Sequence, residues 1–221
     1  HDVLDREMDT LYLKKGTSFI FNHALIHSSE PNQTNKNRLA VAIGLVPTSP
    51  ELFMYYQKDD MVQEIVMPKN LFIRYPEVAI EPKIGKFVQE FNYSIDPLSE
   101  AELKERIDSI KIGKSNIMEP LFKDLQLQNQ FETEGYTKLE ILNQEQVHEL
   151  RAYYNSLNLK DEMGFGFHVG MDQQDKVKVT EMAAKIVQLA FPQVQKQLCD
   201  AQLFTASFVI KEPNPKGVVP P

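Results

Sequence analysis

The 221-residue sequence predicts a mainly β fold with flanking α-helices. Three observations carry that expectation. Apolar residues alternate with others over short runs in the first half, polar stretches rich in Pro, Asn and Gly separate those runs, and two capping boxes open helical runs further on.

The elements follow in chain order. Leu11, Leu13, Phe19 and Phe21 alternate around the turn Lys14-Lys15-Gly16 and predict two short strands. Ser28 to Asn37 is a polar loop with Pro31 and three asparagines, and Arg38 to Val46 reads as a strand ended by Pro47. Leu52 to Gln57 and Met61 to Met67 flank Lys58-Asp59-Asp60 and predict a hairpin. Ser99 with Glu102 forms a capping box that opens a helix through Ile107. The pattern lapses after Ile107, and this lapse divides the chain into 1–110, a linker at 111–117 and 118–221, with Met118 as a candidate ancestral start. Tyr136 to Ile141 reads as a strand. Asn143 and Gln146 cap a helix whose Val147, Leu150, Tyr154 and Leu157 share one face. Gly164, Gly166 and Gly170 predict a flexible loop, a helix spans about Thr180 to Ala190, another follows Pro192, and Leu203 to Lys211 is a strand.

Composition narrows the function classes. With 42% hydrophobic residues the chain can bury a sizeable core as one large domain or two small ones. The formal charge of -7, without a basic run, argues against nucleic acid or an anionic membrane as partner. No apolar run approaches the length of a membrane span, and the acidic N-terminus does not read as a signal peptide, so a cytoplasmic location is expected. The single cysteine, Cys199, fits a reducing compartment and is read as a small core residue.

Chemistry concentrates between Thr17 and Pro47. Side chains alternate across a strand, so Arg38, Ala40, Ala42, Gly44 and Val46 share one face while Leu39, Val41, Ile43 and Leu45 share the other. A small-residue face leaves room for a ligand beside a guanidinium suited to bidentate contact with a carboxylate; small residues also suit a close-packed helix. His27 ends the preceding apolar strand. His23, four residues earlier, reads as a core residue or one that supports His27. His168 lies four residues before Asp172, a metal-like spacing only in a helix, and with glycines around it a structural or surface role is favoured. His1 and His148 read as exposed. No H-x-D or H-x-E triplet occurs in the sequence to complete a two-histidine, one-carboxylate metal triad.

The run G-T-S-F-I-F-N-H-A-L-I-H-S-S-E-P-N-Q-T-N-K-N-R-L-A-V resembles the distal-histidine segment of the phytanoyl-CoA dioxygenase family. There an apolar strand ends in a histidine, a P-N loop follows, and an arginine opens the next strand eleven residues on. The resemblance implies a double-stranded β-helix (jelly-roll, cupin-like) core and a non-haem Fe(II)/2-oxoglutarate-dependent dioxygenase that hydroxylates a small or acyl-type metabolite. It implies His27 as an iron ligand, Arg38 as the partner of the distal carboxylate of 2-oxoglutarate, Ser29 and Lys211 as further pocket residues, and ascorbate as an optional auxiliary.

The second half is similar to the family's N-terminal region. M-E-P-L-F-K-D-L-Q-L-Q-N-Q-F-E-T-E-G-Y resembles its opening helix and strand, and T-A-S-F-V-I-K-E-P-N-P-K-G-V-V-P-P resembles the strand and loop that lead into H-x-D. The family's C-terminal half thus precedes its N-terminal half. A slice across a tandem array, a circular permutant lacking a middle segment, and an omission of residues all fit this order. An incomplete or permuted barrel leaves strand edges open, from which a homo-oligomer is expected. The alternative reading is a non-catalytic jelly-roll binding or interaction module, with Arg38 as its anchor.

Overall fold

The computed structural model describes residues 8–22, 25, 27–48, 51–69, 85–93, 99–105, 120–161 and 166–214. His1, His23 and the 111–117 linker lie outside them. The described chain is built from eight strands in three antiparallel sheets with flanking helices, a mainly β arrangement.

Strands β1 (Thr17–Phe21), β2 (Arg38–Val46), β3 (Leu52–Lys58), β4 (Met61–Met67) and β5 (Lys86–Asn92) come from the first half, and β6 (Tyr136–Glu140), β7 (Phe167–Val169) and β8 (Gln202–Lys211) from the second. Sheet orders are β1-β6, β2-β8-β7 and β3-β4-β5. The halves interlock: β1 pairs with β6, and β2 pairs with β8 along its whole length. A strand that is large on one side gains most when a partner presents a matching apolar face. Leu39, Val41 and Ile43 thus lie alongside Ile210, Phe208 and Ala206.

Helices close the core. In α1 (Leu125–Glu134) the Asp124 carboxylate accepts from the Gln126 and Leu127 amides, and Gly135, at φ 77°, ends the helix in a left-handed conformation that glycine adopts without steric cost. In α2 (Gln144–Leu157) the Asn143/Gln146 capping box forms as the sequence predicts, and Leu150 and Leu157 are buried. Ser99 and Glu102 also form their predicted box. Asp175 caps α3 (Lys176–Gln197). The main core lies between the inner face of β2-β8-β7 and helices α2 and α3, with Phe208, Ile210, Ile186 and Met182 almost wholly buried. A second cluster, Phe122, Phe131, Val194 and Leu198, packs under β1-β6, and Ile65 and Met67 centre a third under β3-β4-β5.

Several expectations are corrected. No strand forms at Leu11–Leu13. The two helices expected around Pro192 are one, α3, with Pro192 inside it. A proline costs an interior helix about 3 kcal/mol. Here the residues on either side, Ala190 and Val194, are both buried, and Val194 packs in the second cluster, so tertiary burial offsets that cost. The glycine loop holds β7 and a 3-10 turn at Gly170–Asp172, because β8 offers β7 an open edge. Edge strand β5, which the sequence pattern does not single out, is exposed throughout, so no buried face imposes alternation on it. Cys199 is exposed in the turn after α3 and is not a core residue. His168 is buried, and His148 is exposed as expected. Among the described residues no helix is long and apolar enough to cross a membrane.

Candidate functional site

The two faces of β2 separate as the alternation predicts. Leu39, Val41 and Ile43 turn toward the core, while Arg38, Ala40 and Ala42 are exposed. At Gly44 the small face closes for a different reason. A Cβ there would stand 2.7 Å from the Thr205 methyl and 3.3 Å from the Phe204 ring, so β8 itself fills the space. The open part of the face is therefore its Arg38 end.

At that end, strand register makes a row. Arg38 pairs with Lys211, and Lys211 pairs with Phe167 on β7. The Lys211 ammonium sits 5.7 Å from the centroid of the Phe167 ring, within cation–π range. Both cations reach the segment that leads into β2. Arg38 Nη2 donates to Ser29 Oγ at 2.8 Å and to the Glu30 carbonyl at 2.6 Å. Lys211 Nζ donates to the Ser29 carbonyl and, at 3.3 Å, to that of Glu30. Burial and the neighbouring Arg38 charge hold the Lys211 ammonium below its usual range, and the Glu30 carboxylate partly opposes them. An anion placed at this pair would relieve the repulsion between the cations.

Three of the four sequence-named residues, Arg38, Ser29 and Lys211, thus meet. His27 lies on the same segment, two residues before Ser29, and is exposed. Its Nδ1 lies 2.7 Å from the Leu25 carbonyl, and its ring stands edge-on to Phe21 at 4.7 Å. A carbonyl only accepts, so Nδ1 is the donor in this contact, and in a neutral ring so held Nε2 is the nitrogen that can ligate a metal. His27 suits one position on iron. No group of three or more His, Cys, Asp or Glu side chains that could hold a metal occurs among the described residues.

In the sequence Asn32 is only one of three loop asparagines. The structure buries it at 3% exposure beside the cation pair. Its signal was a Pro-Asn step inside an otherwise exposed loop. A depression of about 550 Å³ lies just past Lys211, bordered by Lys160, Asp161, Gly166, Glu212 and Asn214, so its charged lining is two carboxylates against one ammonium.

No family model matches the chain, and neither a curated protein nor a solved structure matches it.

Proposed function

We propose that this chain carries the 2-oxo-acid-binding part of a non-haem Fe(II)/2-oxoglutarate-dependent dioxygenase of the phytanoyl-CoA type, acting on a small or acyl-type metabolite from an incomplete or permuted jelly-roll. One observation supports it above the others: Arg38, Lys211 and Ser29 converge at one end of the β2-β8 ladder. Two cations on paired strand ends, beside a hydroxyl, suit a carboxylate. In the proposed role Arg38 and Lys211 bind and orient the acid, and Ser29 fixes the guanidinium. Iron, when bound, would supply dioxygen activation, with His27 as one ligand.

The test separates binding from turnover. Calorimetry without metal is expected to show 2-oxoglutarate binding to the wild-type chain and its loss in Arg38→Ala. The 221-residue chain by itself is expected to hold Fe(II) weakly and to release no succinate. Efficient succinate release by wild type, abolished in His27→Ala, would show that its iron site is complete after all. A wild-type chain that binds no 2-oxoglutarate would remove the proposal.

A second reading is a non-catalytic binding or interaction module that uses the same Arg38–Lys211–Ser29 anchor, whose parts are held by bonds to Ser29 and to the Glu30 carbonyl. It predicts carboxylate binding indifferent to Fe(II). Under either reading the protein is proposed to be cytoplasmic and to self-associate through open strand edges, which native mass spectrometry would reveal.

A further inference from the structure

Asn32 is buried at 3% exposure near the cation pair, and its bonds reach the backbone on both the Arg38 and the Lys211 side. Its Nδ2 donates to the Lys211 carbonyl at 2.9 Å and to the Lys36 carbonyl, two residues before Arg38, at 2.7 Å. Its Oδ1 accepts from the Thr34 amide at 3.2 Å and stands 2.8 Å from the Thr34 hydroxyl. Its own carbonyl accepts from the Asn214 amide at 2.7 Å, just past the end of β8. Both amide protons and the side-chain oxygen are satisfied, so the group can be buried without the cost of an orphaned amide.

These bonds join three pieces of chain. One is the end of β8, which carries Lys211; another is the run into β2, which carries Arg38; the third is the segment whose Ser29 and Glu30 carbonyls receive the two cations. Like charges on directly opposed strand positions repel, and long exposed side chains would relieve that by swinging apart. The backbone around them must therefore be held from beneath. We propose that Asn32 is the positioning residue of the Arg38–Lys211 carboxylate anchor, a role that rests on the carboxylate-binding reading of that pair. An apolar residue at 32 could fill the space but could not tie the Lys36 and Lys211 carbonyls together. Aspartate would keep an acceptor and lose both donors.

The experiment uses the full chain and two readouts, one of which needs no ligand. The first follows titration of Lys211 by its ε-methylene NMR signal, assigned with Lys211→Met. The second measures the Kd of 2-oxoglutarate. In Asn32→Ala the Lys211 titration is expected to move up toward that of an ordinary lysine, and Kd to rise about tenfold, the worth of one charge-assisted contact. Thr34→Ala, at an exposed position, is expected to shift both in the same direction by less, and serves if Asn32→Ala does not fold. Gln128→Ala removes a buried side chain that accepts from the Phe122 amide in a different core cluster; it should lower Tm and leave both readouts unchanged. Unchanged Lys211 titration in Asn32→Ala and Thr34→Ala would overturn the inference, as would an equal shift in Gln128→Ala. If wild type binds no 2-oxoglutarate yet Lys211 still moves in Asn32→Ala, the positioning role stands and the carboxylate reading falls.

Discussion

Arg38 and Lys211 stand opposite one another where β2 begins and β8 ends, and both donate to the same carbonyl oxygen, that of Glu30, at 2.6 and 3.3 Å. Two cations sharing an uncharged acceptor form an arrangement with charge to spare. Repulsion between them disfavours the folded state, and the Glu30 carboxylate offsets it only in part. The proposed carboxylate site would bear that cost in its empty form.

Removing the arginine should therefore act on its partner. In Arg38→Ala the Lys211 ammonium is expected to titrate higher than in wild type, because the neighbouring charge that lowers it is gone, while burial continues to hold it below an ordinary lysine. The same variant should bind 2-oxoglutarate at least about tenfold more weakly, since a charge-assisted contact is lost. NMR titration and calorimetry measure the two effects separately. An unmoved Lys211 would mean that the cations do not sense each other.

Lys211 also predicts a pH dependence of stability. Its folded pKa lies below the ordinary 10.5, so between the two values the unfolded chain binds more protons and stability rises with pH. Below that window the charged lysine carries its full penalty. Lys211→Met should thus match or exceed wild type in urea unfolding at pH 7, and the difference should narrow as pH rises toward 10.5. A variant less stable at pH 7 and gaining on wild type with rising pH would reverse the sign.

Asp172, in the 3-10 turn, gives the complementary acid-side effect. Burial raises its carboxyl above the ordinary 3.8, with Lys176 and His168 pulling the other way. A raised folded pKa contributes stability that is present below 3.8 and lost as pH rises through the folded value. Asp172→Asn should therefore have a higher Tm than wild type at pH 7, and the gap should close near pH 3.5. Thermal melts at the two pH values test this.

His168 sits at 7% exposure on the core face of β7, paired with Ile210, and neither of its ring nitrogens has a hydrogen-bond partner among the described residues. A buried polar group without a partner costs free energy, and an apolar replacement of similar size removes that cost. His168→Leu is expected to be neutral or more stable by up to about 1 kcal/mol in urea unfolding. A loss larger than that would reveal a partner beyond the described residues.

Phe208 should be the costliest of the core positions. It is wholly buried on the central strand of its sheet and meets the rings of Tyr153 and Tyr154 from α2. Truncation to alanine is expected to cost about 3–5 kcal/mol, mostly as a cavity between sheet and helix. Carboxylate affinity should survive in the fraction that stays folded, because Arg38 and Lys211 lie on the other face of the sheet.

Local pattern determined several things outright. The alternation of β2 separated a face of large residues for the core from a face of small ones that begins at Arg38, because side-chain direction in a strand follows from its twofold repeat. Asn143 with Gln146 marked the start of α2, because a capping box satisfies its own backbone donors within four residues. His27 and Arg38 were visible as residue types at a spacing. Other features had no local signal: α3 runs through Pro192 because residues from α1 and beyond bury the turn that follows it, and β5 is a strand because β4 pairs with it.

The site divides the same way. Sequence alone named His27, Ser29, Arg38 and Lys211, and put the last of them at the far end of the chain from the others. Only the antiparallel register of β2 on β8 set Lys211 against Arg38, and only the folded loop buried Asn32 beneath them both. Residue type and spacing specify what a side chain can bind. Which charges meet depends on pairing between strands well over a hundred residues apart, and that register is decided by the burial of Val41, Phe208 and their neighbours against α2 and α3.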